Sequence, residues 1–186
     1  MGRLWKNVKN LRFIESDVFI ETGTFMAESL RFAASMNFQK ILSCDVCQDY
    51  VDKAKENFKE DSRVHILCGS SHRLLNSMID PYKKTTFWLD AHWQNNHVSE
   101  IDEEATECPL MKELKVIFET KWIKAPLILI DDASWFLFHN KNRQQPRKGY
   151  RIHQWPTYDD IKNSAPPGFN VNIKNDVIWM QPIALL

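Results

Sequence analysis

Short apolar runs alternate along this chain with longer stretches whose apolar residues recur at helical spacing. Residues 18–20, 40–44, 64–67, 85–89 and 126–130 read as strands, rich in β-branched and aromatic side chains. Residues 27–36, 48–59, 72–79 and 109–120 read as helices. Leu30, Ala33 and Ala34 mark the apolar stripe of the first, Val51, Ala54 and Phe58 that of the second, and Leu110, Leu114, Ile117 and Phe118 that of the last. Strands that alternate with helices of this length predict a parallel sheet covered on both faces, with right-handed crossovers. The pattern changes near the end. Runs 169–173 and 177–180 flank Lys174-Asn175-Asp176, and Asn-Asp is hairpin chemistry. The expected architecture is therefore a three-layer, Rossmann-like α/β sheet, mostly parallel and closed by a C-terminal antiparallel hairpin.

Two segments lack periodicity. Residues 94–108 are polar and acidic. Residues 134–156 mix Trp135, Phe136, Phe138, Tyr150 and Trp155 with Lys141, Arg143, Arg147, Lys148 and Arg151. Long loops in compact domains commonly cover or line sites, so 134–156 is expected to be a lid or substrate loop within one domain spanning 1–186.

Composition narrows the function classes. The 186 residues suit one domain, and 44% apolar content suits one sizeable core. Twenty-four basic and 24 acidic residues cancel, which argues against nucleic acid or an anionic membrane as partner. No apolar stretch is long enough to span a bilayer, and residues 1–6 lack a signal-peptide core, so a cytoplasmic setting is expected. Seven tryptophans leave room for a homo-oligomer interface. Cys44 and Cys47 form a CxxC without a second pair, which reads as reduced thiols rather than a zinc or redox site.

The candidate chemistry sits at the strand ends. The first strand runs into Glu21-Thr22-Gly23-Thr24 and then a helix, the start of a nucleotide-type βα unit. The second ends at Asp45, placed either to accept hydrogen bonds from ribose hydroxyls or to cap a turn. The third ends at Cys68-Gly69-Ser70-Ser71, where Gly69 permits close backbone approach and Ser70 or Ser71 could bond a base edge or cap the next helix, capping being the role that suits Ser71 better. The fourth ends Asp90-Ala91-His92-Trp93, and i and i+2 of an extended segment share a face. The fifth ends Asp131-Asp132. Carboxylates after a buried strand need compensation, and convergence of Asp90, Asp131 and Asp132 would suit Mg²⁺ or a similar divalent cation. His92 is a candidate general base, a metal ligand, or a histidine hydrogen-bonded beside Trp93.

Phe19-Ile20-Glu21-Thr22-Gly23-Thr24, Asp45, Gly69-Ser70, and the strands ending at Asp90 and Asp131-Asp132 together resemble a class I S-adenosylmethionine-dependent methyltransferase. Within that class the chain is most similar to metal-dependent sugar O-methyltransferases of the macrocin and novobiocin type. The resemblance covers roughly residues 17–133 and the terminal hairpin. It implies that Glu21, Thr22, Gly23 and Thr24 face the methionine end of S-adenosylmethionine, that Asp45 holds the ribose, and that Gly69 and Ser70 lie near the adenine. It further implies that Asp90, Asp131 and Asp132 hold the divalent cation, with Asp90 or His92 as base. The acceptor would be a hydroxylated small molecule such as a sugar or glycoside. Ala27 and Ser70 stand where this class often has glycine and aspartate. Two other readings remain open: a non-catalytic ligand-binding member of the fold, and a different metal-dependent enzyme using Asp90 and His92.

Overall fold

A computed structural model describes residues 15–92, 106–137 and 154–183. Seven strands form one sheet: β1 (Val18–Thr22), β2 (Lys40–Asp45), β3 (Val64–Cys68), β4 (Thr85–Leu89), β5 (Leu127–Ile130), β6 (Phe169–Lys174) and β7 (Val177–Pro182). Their order is β3-β2-β1-β4-β5-β7-β6. The first five are parallel, and β7 lies antiparallel to both β5 and β6. The expected mostly parallel sheet with a terminal hairpin is thus present.

The helices are α1 (Glu28–Ala34), α2 (Gln48–Asn57), α3 (Ser71–Met78), α4 (Leu110–Glu119), α5 (Ala133–Leu137) and α6 (Tyr158–Ser164). Alternation along the strands divides the core in two. Val18, Ile20, Phe87, Leu89, Ile128 and Ile130 face Leu75 of α3, Leu114 and Ile117 of α4, and Ile161 of α6. Phe19, Ile41, Trp88 and Leu129 face Leu30 and Ala33 of α1 and Val51 and Ala54 of α2. Strands β1, β4 and β5 are buried along their whole length, which is why Val18–Ile20, Phe87–Leu89 and Leu127–Ile130 run apolar without alternation.

Some elements differ from the sequence expectation. Strand β1 continues through Thr22, because Glu21 and Thr22 still pair with Ser43 and Cys44. Helix α1 starts after Ala27, whose φ of 58° cannot belong to a right-handed helix. Helix α6 has no apolar periodicity; it is fixed by a capping box in which Thr157 and Asp160 satisfy each other's backbone N–H groups. Of the segment 134–156, residues 134–137 belong to α5 and Trp155 is buried in the core. Trp155 stacks on Trp135 at 5.2 Å and an interplanar angle of 25°. Residues 138–153 of that segment, the 94–105 stretch and Trp93 lie outside the described residues. The hairpin turn Asn175–Asp176 has φ of 53° and 62°, the two left-handed residues of a type I′ turn. Among the described residues no helix is long and apolar enough to cross a membrane.

Candidate active site

Parallel strands bring all their carboxyl ends to one edge, so the turns after β1 to β5 share a crevice. Three non-glycine residues there adopt left-handed backbone: Phe25 (φ 40°), Ala27 (φ 58°) and Asp132 (φ 55°). Such outliers cost free energy and gather at functional sites.

The turn after β1 is tightly tied. Gly23 and Thr24 both donate their N–H groups to the Cys44 carbonyl, at 2.9 and 3.2 Å, and Ala27 donates to the Thr24 carbonyl at 2.7 Å. Gly23 has φ +88°, and a Cβ there would meet the Asp90 carbonyl oxygen at 2.3 Å. The turns after β1 and β4 therefore touch backbone to backbone. Thr22 supports the same junction, its carbonyl accepting the Asp90 N–H at 3.0 Å. Phe25 is exposed, and its ring meets Tyr50 edge-on at 4.9 Å.

Glu21 points into the sheet rather than the crevice. It is fully buried and accepts hydrogen bonds from the hydroxyls of Ser29 and Ser43, the latter at 2.5 Å. Thr24 is bound to the same Ser43 hydroxyl at 2.6 Å. Burial lifts the Glu21 carboxyl from its usual 4.5 to about 7, although both serines oppose the shift. The folded chain thus binds this proton more tightly than the unfolded chain does. The Glu21 contribution to stability is fully present below pH 4.5 and is lost as pH rises through 7. The fall is at most about 1.4 kcal/mol per pH unit within that window. Urea unfolding between pH 5 and 8 should show it in the native chain and a flatter profile in Glu21→Gln. An equally steep profile in the variant would assign the slope to other groups.

Asp45 closes the next turn. Its Oδ2 accepts the Phe25 N–H at 2.8 Å and its Oδ1 the Cys47 N–H at 2.9 Å. Burial raises its pKa, against these backbone donors. Gly69 donates its N–H to the Asp45 carbonyl at 2.9 Å, and the Ser70 hydroxyl pairs with His72 Nδ1 at 2.9 Å. The cap expected of Ser71 is absent: Ser70 occupies the N-cap position, and Ser71 is buried as the first residue of α3.

At the ends of β4 and β5 the structure brings Asp90, His92 and Asp132 together, one ligand atom of each lying within 4.8 Å of the others. His92 Nε2 is 2.8 Å from Asp132 Oδ2, and Nδ1 is 3.5 Å from Asp90 Oδ1. Burial alone would depress the histidine pKa. The Asp132 hydrogen bond and the charges of Asp90, Asp132 and Asp131 outweigh it and hold the ring at about 9. Asp132 is also desolvated, but the hydrogen bond and charge of His92 keep its pKa below the usual value. Asp90 is driven well upward by burial, with His92 opposing and the neighbouring acids adding. Asp131 is not part of this group. Its Oδ1 accepts the Asp132 N–H at 2.9 Å, and burial followed by repulsion from Asp132 raises its pKa to about 6. The hairpin reinforces the turn, Asp176 Oδ1 accepting the Ser134 N–H at 2.7 Å.

Aromatic rings back the cluster. His92 lies 5.2 Å from Trp155, which also contacts Phe136 at 5.7 Å. Trp155 Nε1 donates to Glu107 Oε2 at 3.3 Å, and the Glu107 N–H donates to Gln154 Oε1 at 2.9 Å. Sequence reasoning missed Glu107 as a buried acid, because it follows two other acids and reads as solvated. It also missed Glu113, a charged residue inside the apolar stripe of α4. The signal was available, since Glu113 falls between Leu110 and Ile117 on one face.

No family model and no curated protein matches the chain. Solved structures do. A methyltransferase of Podospora anserina, PaMTH1, bound to S-adenosylhomocysteine, superposes with a TM-score of 0.65 at 12% identity, over 94% of this chain and 75% of that one. A Staphylococcus aureus protein described as a caffeoyl-CoA O-methyltransferase gives 0.61 at 15% identity, over 93% and 79%. An S-adenosylmethionine-dependent methyltransferase of Aquifex aeolicus gives 0.51 at 12% identity, over 97% and 93%. The chain has the class I methyltransferase fold.

Proposed function

We propose that this chain is an enzyme, an S-adenosylmethionine-dependent methyltransferase that methylates a hydroxyl oxygen of a small molecule with a divalent cation in the site. The observation that carries the reading is the group Asp90, His92 and Asp132, set beside the Gly23 turn at the crevice where this fold takes ligands. Two carboxylates and an imidazole, all partly buried and within 4.8 Å, form a donor set that suits Mn²⁺ or Zn²⁺ as well as Mg²⁺. The cation would lower the pKa of the acceptor hydroxyl.

The chain's own residues do the remaining work. Asp90 and Asp132 supply the negative charge, and Asp131 fixes the Asp132 turn from behind. His92 is oriented through Nε2 by Asp132, and a bound cation would offset the carboxylate charge that otherwise keeps the ring protonated, leaving Nδ1 and Asp90 as the candidate proton acceptors. Gly23 sets the spacing between the two turns. Asp45 faces the ribose with the lone pairs its backbone donors leave free, while Gly69 and Ser70 border the adenine. Glu21 and Thr24 hold the turn in shape from inside. Methyl transfer needs oxygen, carbon and sulfur in line, so positioning dominates the rate. Trp155, 5.2 Å from His92 and stacked on Trp135, gives the cluster an aromatic wall of the kind that suits a sugar or aryl acceptor.

The test uses S-adenosylmethionine labelled on the methyl group, a panel of glycosides and phenols, and EDTA. The expected result is label on an acceptor oxygen, lost with EDTA and restored by Mn²⁺ or Mg²⁺. Transfer that survives EDTA would remove the metal from the account. Binding of the cofactor without transfer to any acceptor would make the chain a non-catalytic member of the fold.

A further inference from the structure

Glu113 is a carboxylate in the wrong company. It lies on the core face of α4 between Leu110 and Ile117, with 1% of its surface exposed. A charged residue at such a position is rare without a partner. The hydroxyls of Ser71 and Thr22 lie near it, yet Glu113 Oε1 and Thr22 Oγ1 complete no hydrogen bond. Two buried oxygens on neighbouring side chains are thus left without a full hydrogen-bond partner, which burial penalises unless something binds there.

Their place in the fold gives them an occupant. Thr22 is the last residue of β1, next to Gly23, and its carbonyl already holds the Asp90 N–H. The charge of His92 also acts on the Glu113 carboxyl. A group that fits must donate to both oxygens, and a positive charge suits the buried carboxyl best. An ammonium does that, with three N–H donors and a positive charge to offset the carboxylate.

We propose that Glu113 and Thr22 receive the α-ammonium of the amino-acid end of S-adenosylmethionine. The inference rests on the cofactor reading above. It makes Glu113 a specificity residue that separates intact cofactor from adenosine thioethers without the amino-acid end.

Calorimetric titration with S-adenosylhomocysteine and with 5′-methylthioadenosine, which lacks the ammonium, tests it in the native chain, in Glu113→Gln and in Glu113→Met. The variants should bind S-adenosylhomocysteine at least tenfold more weakly and 5′-methylthioadenosine with unchanged affinity. Glu113→Met should also melt at a higher temperature, because it completes the apolar stripe. Unchanged affinity for S-adenosylhomocysteine in both variants overturns the proposal and leaves a buried water as the occupant. Equal weakening for both ligands, or a lower melting temperature in Glu113→Met, overturns it in favour of a structural role. A native chain that binds 5′-methylthioadenosine and S-adenosylhomocysteine equally overturns it while sparing the cofactor reading; one that binds neither sinks both.

Discussion

Gly23→Ala should unfold at least about 3 kcal/mol more easily than the native chain and lose cofactor binding with it. The new Cβ would lie 2.3 Å from the Asp90 carbonyl oxygen, 2.7 Å from its carbon and 3.1 Å from Ala91 Cα. All three are backbone atoms, so no side chain can swing aside. Strand β4 cannot slide either, being paired in register with β1 on one side and β5 on the other. The turn must therefore open, and opening it separates Gly23 from Asp90, the two turns that form the site. Gly168→Ala provides the contrast. Gly168 also has positive φ, at +96°, but nothing lies within 4 Å of its missing Cβ. That variant carries only backbone strain, about 1 kcal/mol. Urea denaturation of both variants checks the claim; equal losses would mean that the close approach of the two turns carries no weight.

Asp132→Asn should cost the site its cation and most of its rate. Asp132 is the only acid of the turn that both contacts His92 and belongs to the ligand group among the described residues. Neutralising it turns the charge-assisted hydrogen bond that orients the ring into a neutral one and removes one anionic ligand at the same time. Mn²⁺ affinity should drop by roughly a hundredfold or more, and methyl transfer by roughly 10²–10⁴. Asp131→Asn should be much milder toward the cation, because its carboxylate bonds the Asp132 N–H instead of joining the group. Titration of Mn²⁺ into the two variants distinguishes them. The reverse order, with Asp131 the more damaging, would restore the ligand set of three aspartates that the sequence suggests.

The contrast between these two aspartates shows where the sequence was legible. Apolar runs ending in acids marked β1, β2, β4 and β5, and Asn175–Asp176 marked the hairpin, because burial and turn chemistry leave strong local patterns. The i, i+2 relation put Asp90 and His92 on one face. It could not show that His92 reaches across to Asp132, because that contact depends on Asp132 adopting φ 55°. Glu21 read as a crevice residue because it follows an apolar run; strand pairing carries on past it and turns its carboxyl toward Ser29 and Ser43. Ala27 stood out as a departure from a glycine pattern, and the backbone there is indeed left-handed. Trp155 lay in a stretch that reads as a loop, and only tertiary packing makes it core. Glu113 was legible from its place between Leu110 and Ile117 on one helix face but went unread among the apolar residues around it.

The central claim is that the crevice at the ends of β1, β2, β4 and β5 binds S-adenosylmethionine, and titration of the native chain with S-adenosylhomocysteine tests it most directly. The account predicts saturable binding at one site per chain, with an affinity that falls at least tenfold in Gly23→Ala. No heat of binding at millimolar ligand, with or without Mn²⁺, would contradict it.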